Sequence, residues 1–337
     1  MTTTFFDMQR RQQQRTIFWL TLEVVLLTAV GYLVTVPWQF WKSCSAPDTD
    51  SCEPITFQPT LTLEILLAVV VYLTLVLVVA KRHAYPTTGR PPSAFPHERR
   101  LYGLTEQMAI AAGTPIPRVV VIDDVAVNAY ATTDRGEGVI VVTSSLLATL
   151  DDRELMGVVA HELAHLKNRD ARVIWMATFG VGLVMVLAVA ASSFALSAAG
   201  SSNQPRGDDD EQNNGAAGAA AIAFVFAFVL WVLAFPAALI VRASISRRRE
   251  QLADASAVQF TRDPTGLRSA LEKISTATAQ PTSLRMSNAA LWIDNPLLRG
   301  GRVRPVGRLL DTHPPIEGRI AWLRSLEGAN TLWKDLP

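Results

Sequence analysis

The stretch Val158-Val159-Ala160-His161-Glu162-Leu163-Ala164-His165-Leu166 places two histidines four residues apart, with a glutamate directly after the first. On a helix, residues four apart lie on one face, so His161 and His165 can both turn an imidazole toward one metal ion. Two imidazoles at this spacing suit zinc, and Glu162 then stands beside the vacant coordination position. There it can take a proton from a water as that water attacks a carbonyl. From ordinary composition such a pentad arises by accident in roughly one per cent of chains this size. Here it falls in a helical context, and three of only five histidines lie in candidate catalytic segments. Asp151 and Glu154 have capping-box spacing, and Leu155, Val158 and Val159 follow as an apolar stripe, so a helix is predicted to start at this point.

Two histidines and a water leave zinc one ligand short, and the hydrophobic pattern of the chain indicates where the third comes from. The 337 residues are 49% hydrophobic and only 18% charged, against about 25% charged in a soluble domain, and the mean hydropathy is +0.22. Disorder is excluded, because too much apolar material must leave water. The near-balance of 31 Lys and Arg against 30 Asp and Glu argues against nucleic acid as a partner. Two cysteines are too few for a disulfide scaffold or a cysteine-based zinc domain.

The apolar residues gather in four runs, 17–38, 61–80, 173–196 and 216–241. Each is close to the roughly 20 residues a helix needs to cross a bilayer. Arg10, Arg11 and Arg15 precede the first run, and Lys81, Arg82 and Arg90 follow the second. Arg169 and Arg172 precede the third, and Arg242, Arg247, Arg248 and Arg249 follow the fourth. The intervening loops, 39–60 and 197–215, are acidic instead. By the positive-inside rule, segments 1–16, 81–172 and 242–337 face the cytoplasm, so a multi-pass protein of the plasma membrane with both termini inside is expected. The two longer cytoplasmic segments together make the two parts of one domain. Gly200 to Gly215 reads as a flexible external connector. Cys44 and Cys52 share the first external loop, where a disulfide is chemically permitted. Glu23 lies about two turns inside the membrane from its cytoplasmic end, which suits snorkelling or a structural partner better than transport.

His165 lies eight residues before Val173, and Glu250 nine residues after Val241. If both membrane helices continue unbroken, each residue projects about 12–14 Å beyond the membrane on the same side, and the two can meet. Glu250 is therefore the expected third ligand, although Pro236 leaves its facing open. Asp254, four residues further, shares its face and can accept the second ring N–H of a ligating histidine.

His161-Glu162-Leu163-Ala164-His165-Leu166-Lys167-Asn168-Arg169-Asp170 and Arg248-Arg249-Glu250-Gln251-Leu252-Ala253-Asp254 together resemble the HtpX family of membrane zinc endopeptidases, gluzincins related to the CAAX prenyl proteases. The resemblance runs from about Asn128 to Arg319. It implies one zinc ion on His161, His165 and Glu250, with Glu162 as general base and Asp254 behind a ligand. It also implies peptide substrates drawn from membrane proteins, and quality control of damaged ones. The fold expected is α+β: four transmembrane helices with a mostly helical zincin-like cytoplasmic domain carrying a small sheet.

Three strands are predicted at Val119–Ile122, Ala126–Thr132 and Gly138–Thr143, with Asp134-Arg135-Gly136 turning. Asn128-Ala129-Tyr130-Ala131 resembles the family's strand beside the cleft, where an exposed edge can pair with an extended substrate; a purely structural strand is the alternative. Thr312-His313-Pro314-Pro315, with Arg319 after it, also resembles the family. His313 or Arg319 can stabilise an oxyanion, or either can fix the fold. Tyr130, where phenylalanine is usual, and Gly318 depart from the family pattern without removing a catalytic group.

Other functions fit less well. Glu162-x-x-His165 is also half of a di-iron bundle motif, but no other histidine has a glutamate three residues before it. A silent scaffold or chaperone that retains the zinc fold would be free to lose Glu162. A processing peptidase for lipidated C-terminal motifs shares the catalytic residues, and four spans rather than a larger helical chamber favour the HtpX-like form.

Overall fold

A computed structural model of the chain describes residues 5–44, 58–82, 89–92, 96–134, 136–201, 221–277, 293 and 315–327. Among them the element order is α1 (Phe5–Cys44), α2 (Pro59–Arg82), α3 (Pro96–Ala112), β1 (Arg118–Ile122), β2 (Ala129–Asp134), β3 (Glu137–Thr143), α4 (Ser144–Thr149), α5 (Asp152–Asn168), α6 (Asp170–Ser201), α7 (Ala221–Thr261), α8 (Pro264–Thr276) and α9 (Ile316–Glu327). The chain is α+β and mostly helical; among the described residues there are one three-stranded sheet and four helices long and apolar enough to cross a membrane: α1, α2, α6 and α7. The chain divides into two compact units. One holds residues 1–18, 77–175 and 243–337; the other holds 19–76 and 176–242.

In the helical unit, Leu27 and Val30 of α1, Val69 and Leu73 of α2, Val184 and Ala188 of α6, and Leu230, Ala234 and Ala238 of α7 form a shared core. Leu67, Val186 and Leu233 stay exposed on its outside, which suits helices whose outer faces meet lipid rather than water. Glu23 is buried in this unit, and its carboxylate lies against Gly180, where a Cβ would collide with it. Residues 230–234 form a π turn, closed by the Phe235 N–H on the Leu230 carbonyl. Pro236 follows it. A proline ring has no N–H and crowds the carbonyl four residues back, and the wider turn makes room for it. The helix then runs on without a break to Thr261.

The other unit is built on helix pairing and the sheet. The Asp151 side chain accepts from the Glu154 N–H, and the Glu154 carboxylate accepts from the Asp151 N–H, both at 2.9 Å, so α5 begins with the capping box its sequence predicts. Leu155, Val158, Val159 and Leu163 of α5 pack on Leu267, Ala270, Leu271 and Ile274 of α8 and on Leu101 and Leu104 of α3. The α5–α8 crossing is close because two glycines meet there. A Cβ on Gly157 would lie 2.6 Å from the Leu267 nitrogen, and one on Gly266 would lie 2.6 Å from the Arg153 carbonyl oxygen.

The strand order is β1-β3-β2, with β1 parallel and β2 antiparallel to β3, in register Val120↔Val141 and Ala131↔Ile140. One face, carrying Val121, Ala129, Ile140 and Val142, joins the helix core. The other face packs Tyr130 with Val120, Val139 and Val141. The second strand begins three residues later than the alternation predicts and ends two residues later. Asp124 Oδ1 accepts the Ala126 N–H at 2.9 Å and Asn128 Oδ1 accepts the Ala129 N–H at 3.0 Å. Local side-chain acceptors thus hold the backbone of residues 124–128 in a turn before pairing starts.

Candidate metal centre

His161 and His165 project from one face of α5 with their rings 4.6 Å apart and perpendicular. Their Nε2 atoms face each other at 3.1 Å. Glu250 reaches them from α7, with Oε2 3.7 Å from His161 Nε2 and Oε1 3.6 Å from His165 Nε2. One donor atom from each of the three residues lies within 4.8 Å of the others. A tetrahedral zinc with bonds of 2.0–2.1 Å spaces its ligand atoms about 3.3 Å apart. The two imidazoles and the carboxylate therefore fit a single small divalent ion.

The route by which His165 arrives differs from an unbroken helix. α5 stops at Asn168, Arg169 adopts a left-handed conformation (φ 55°, ψ 40°), and α6 starts afresh at Asp170. The Arg169 N–H closes the end of α5 on the His165 and Leu166 carbonyls. The break turns Asp170 back toward the site, where Asp170 Oδ2 lies 2.6 Å from His165 Nδ1. In a continuous helix, positions five apart do not share a face, so Asp170 carries no role in a reading that assumes one. Its one signal in the sequence is its place at the end of the family-like stretch His161 to Asp170. Arg249, the residue before Glu250, pairs with Asp170 and donates to the Asn168 carbonyl at 2.8 Å.

His161 has an equivalent support. Its Nδ1 lies 3.0 Å from Asp254 Oδ1. Each histidine thus gives its outer nitrogen to a carboxylate and presents Nε2 inward, the arrangement that fixes tautomer and ring plane in metal sites. Burial lowers the His161 pKa to about 4, and the nearby Arg319 cation adds to the effect against the Asp254 hydrogen bond. The imidazole is therefore neutral at pH 7, the form that binds a metal.

Arg319 of α9 is buried and grips Asp254 with two bonds, Nε to Oδ2 at 2.9 Å and Nη2 to Oδ1 at 2.7 Å. Its Nη1 donates to the Ile293 carbonyl at 3.3 Å and lies 3.4 Å from Glu250 Oε2. Burial works against the charge, but Asp254 and Glu250 outweigh it and raise the Arg319 pKa. The guanidinium is thus committed to the carboxylates behind the histidines rather than offered to an open oxyanion position.

Glu162 is buried beside this group and accepts a hydrogen bond from the Ala131 backbone N–H of β2. Burial raises its pKa well above the usual carboxylate range, Glu250 adds to the rise, and Arg319 and the Ala131 N–H oppose it. In the predicted substrate strand, the Asn128 and Tyr130 side chains are buried: Asn128 fixes the turn, and Tyr130 packs on the far face of the sheet. What β2 presents to the site is backbone, at Ala129 and Ala131. His313 lies outside the described residues, as does Cys52, and the side chain of Cys44 is likewise undescribed.

Comparison with known proteins points the same way. The family model for "Peptidase family M48" matches residues 97–327. The chain is similar to the "Protease HtpX homolog" of Dictyoglomus thermophilum, at 40% identity over 228 residues, 67% of this chain and 69% of that one. It is also similar to the homolog of Listeria monocytogenes serotype 4a, at 36% over 251 residues (74% and 79%). With the homolog of Caldanaerobacter subterraneus subsp. tengcongensis, 32% identity extends over 324 residues, 96% of this chain and 98% of the relative. The crystal structure of S. mikatae Ste24p superposes with a TM-score of 0.41 at 18% identity, covering 93% of this chain and 66% of that one.

Proposed function

Because the chain belongs to peptidase family M48, and is a multi-pass membrane metallopeptidase, we propose that its metal is zinc, held by His161, His165 and Glu250, and that it hydrolyses peptide bonds of membrane or membrane-proximal proteins at the cytoplasmic face of the plasma membrane. The observation that carries this reading is the triangle of two imidazoles and one carboxylate, with a second carboxylate, Glu162, beside it. A His₂Glu donor set is a catalytic zinc set with a position left for water. Zinc bound there supplies Lewis-acid polarisation of a water and of the scissile carbonyl.

The remaining work falls to the chain itself. Glu162 takes the proton of the attacking water and passes it to the departing amine; its raised affinity for a proton suits it to both transfers. The Ala131 N–H holds the Glu162 carboxylate in place between those steps. Asp254 and Asp170 keep the two imidazoles turned inward, with Arg319 and Arg249 behind them. The β2 edge aligns an extended substrate backbone past the metal. The lysines and arginines that flank the four apolar runs on the side of 81–172 and 242–337 support a cytoplasmic active site. The family resemblance supports removal of damaged membrane proteins as the purpose.

The test compares purified wild type with Glu162→Gln for metal content and for cleavage of an unfolded membrane protein. Both should hold one zinc per chain, and Glu162→Gln should lose at least about a hundredfold in rate. Wild-type cleavage by Glu162→Gln overturns the mechanism, and a wild type without zinc overturns the site.

A further inference from the structure

Beside the metal centre lies a cavity of about 790 Å³, walled on its inner side by His165, Leu163 and residues 131–133 of β2. The sheet register shows how a bound chain would meet it. The Thr143 N–H donates to the Asn128 carbonyl, so residues 128, 130 and 132 turn their backbone polar groups toward β3. Residues 129, 131 and 133 turn theirs to the opposite edge. There the Ala129 carbonyl accepts the Ile293 N–H at 3.0 Å and the Ala131 N–H meets Glu162. An extended peptide added along this edge passes the metal centre at Ala131 and enters the cavity at Thr133.

The charge of the cavity lining is one-sided. Among the described residues, Arg118, Lys167, Arg169 and Arg172 line it, against one carboxylate, Glu137. Arg118 is paired with Asp134 at 2.6 Å, and Lys167 Nζ donates to the Ala112 carbonyl at 2.7 Å. Among the described residues, neither Arg169 nor Arg172 has a carboxylate partner. Arg169 is carried on the left-handed corner that joins α5 to α6, so its backbone is fixed to the same corner that orients His165.

We propose that this cavity is a substrate subsite selective for acidic side chains, taking Asp or Glu within a few residues of the scissile bond on the part of the peptide that lies along residues 131–133. The inference deepens the peptidase reading above and rests on it. Arginines at the head of a membrane helix also serve as contacts for anionic lipid headgroups. A peptide is the better occupant because the cavity shares His165 and Ala131 with the metal centre, so a ligand there is a neighbour of the reacting bond.

The test uses the zinc-loaded full chain in nanodiscs and three fluorogenic peptides that differ only in a Glu-Glu, Gln-Gln or Lys-Lys pair beside the cleavage site, with the pair placed on either side in turn. Wild type should favour the Glu-Glu peptide over Gln-Gln by about tenfold or more in kcat/KM, for one placement only. In Arg169→Asn/Arg172→Gln, where asparagine tolerates the left-handed backbone, the ratio should fall to near one. In Arg169→Asn/Arg172→Glu the preference for Glu-Glu should be lost and Lys-Lys should become the better of the two charged peptides. Measurable but equal cleavage rates for the three peptides in wild type overturn the proposal. So does a preference that survives removal of both cations, or one that follows the phosphatidylglycerol content of the nanodisc instead of the peptide. The same peptides are titrated by fluorescence anisotropy onto Glu162→Gln. Cation-dependent tighter binding of Glu-Glu without cleavage of any peptide by wild type upholds the subsite and sinks the peptidase reading. Indifferent binding sinks the subsite alone.

Discussion

The two units of the molecule bury acidic side chains in opposite ways. In the peptidase unit, the buried carboxylates Asp254, Asp170 and Glu154 are held by partners: Asp254 by Arg319 and His161, Asp170 by Arg249 and His165, and Glu154 by Lys273 at 2.6 Å and Ser269 at 2.6 Å. In the helical unit, Glu23 is accommodated by space, in the notch left by Gly180. A buried charge held by a partner fixes direction, and its loss strands the partner. A carboxylate held by a notch on flexible bonds can move aside. Orientation is thus concentrated where chemistry needs it.

The largest effect should come from taking away the cation that serves most of the site. Arg319→Met leaves Asp254 buried without its bidentate partner and should cost about 3–5 kcal/mol. Thermal unfolding should show the loss, and metal analysis should show less bound metal. Restoring both in Arg319→Lys would mean that charge alone matters rather than the fork of two bonds. Next comes Asp170→Asn, which keeps the shape but weakens the hold on His165; metal affinity or activity should fall about 10–100-fold. An unchanged metal dissociation constant would mean that the corner, not the carboxylate, orients the ring.

A smaller contrast tests space against partners directly. Gly157→Ala pushes a methyl onto the Leu267 backbone and should cost about 1–3 kcal/mol. Gly180→Ala meets only the end of the Glu23 side chain and should cost less. A reversed order in Tm would break the comparison.

The smallest effect is one of pH. Burial pushes Glu154 up, but Lys273, Ser269 and the Asp151 N–H together hold it below its ordinary 4.5. The unfolded chain then takes up the proton first as pH falls. The stability Glu154 supplies is complete above pH 4.5 and drains away as the solution is acidified through the folded-state pKa. The Tm gap between wild type and Glu154→Gln should therefore narrow between pH 6 and pH 3.5. A gap that stays constant across that range assigns Glu154 a role independent of its charge.

Much of this was legible in the residues, for identifiable reasons. His161 and His165 share a helical face at any position in a fold, and Asp151 with Glu154 makes a start signal that needs no tertiary context. Glu250 and Asp254 could be placed because one unbroken helix carries them. Asp170 could not, because a single left-handed residue redirects it, and arginine is not a residue that advertises that conformation. Arg319 was ambiguous for another reason: whether its donors are spent on Asp254 or left for an oxyanion depends on three elements distant in sequence. The true start of β2 was hidden by Asp124 and Asn128, which satisfy backbone groups that the alternating pattern assigns to a strand.

The corner at Arg169 also works as a gauge of length. Substitutions there are graded, since glycine or asparagine suits the backbone and a β-branched side chain opposes it. Insertion is a different matter. One extra residue between His165 and Asp170 rotates the start of α6 by about 100°, carrying Asp170 away from the imidazole while both histidines keep their places. The segment between them should therefore vary in sequence far more freely than in length.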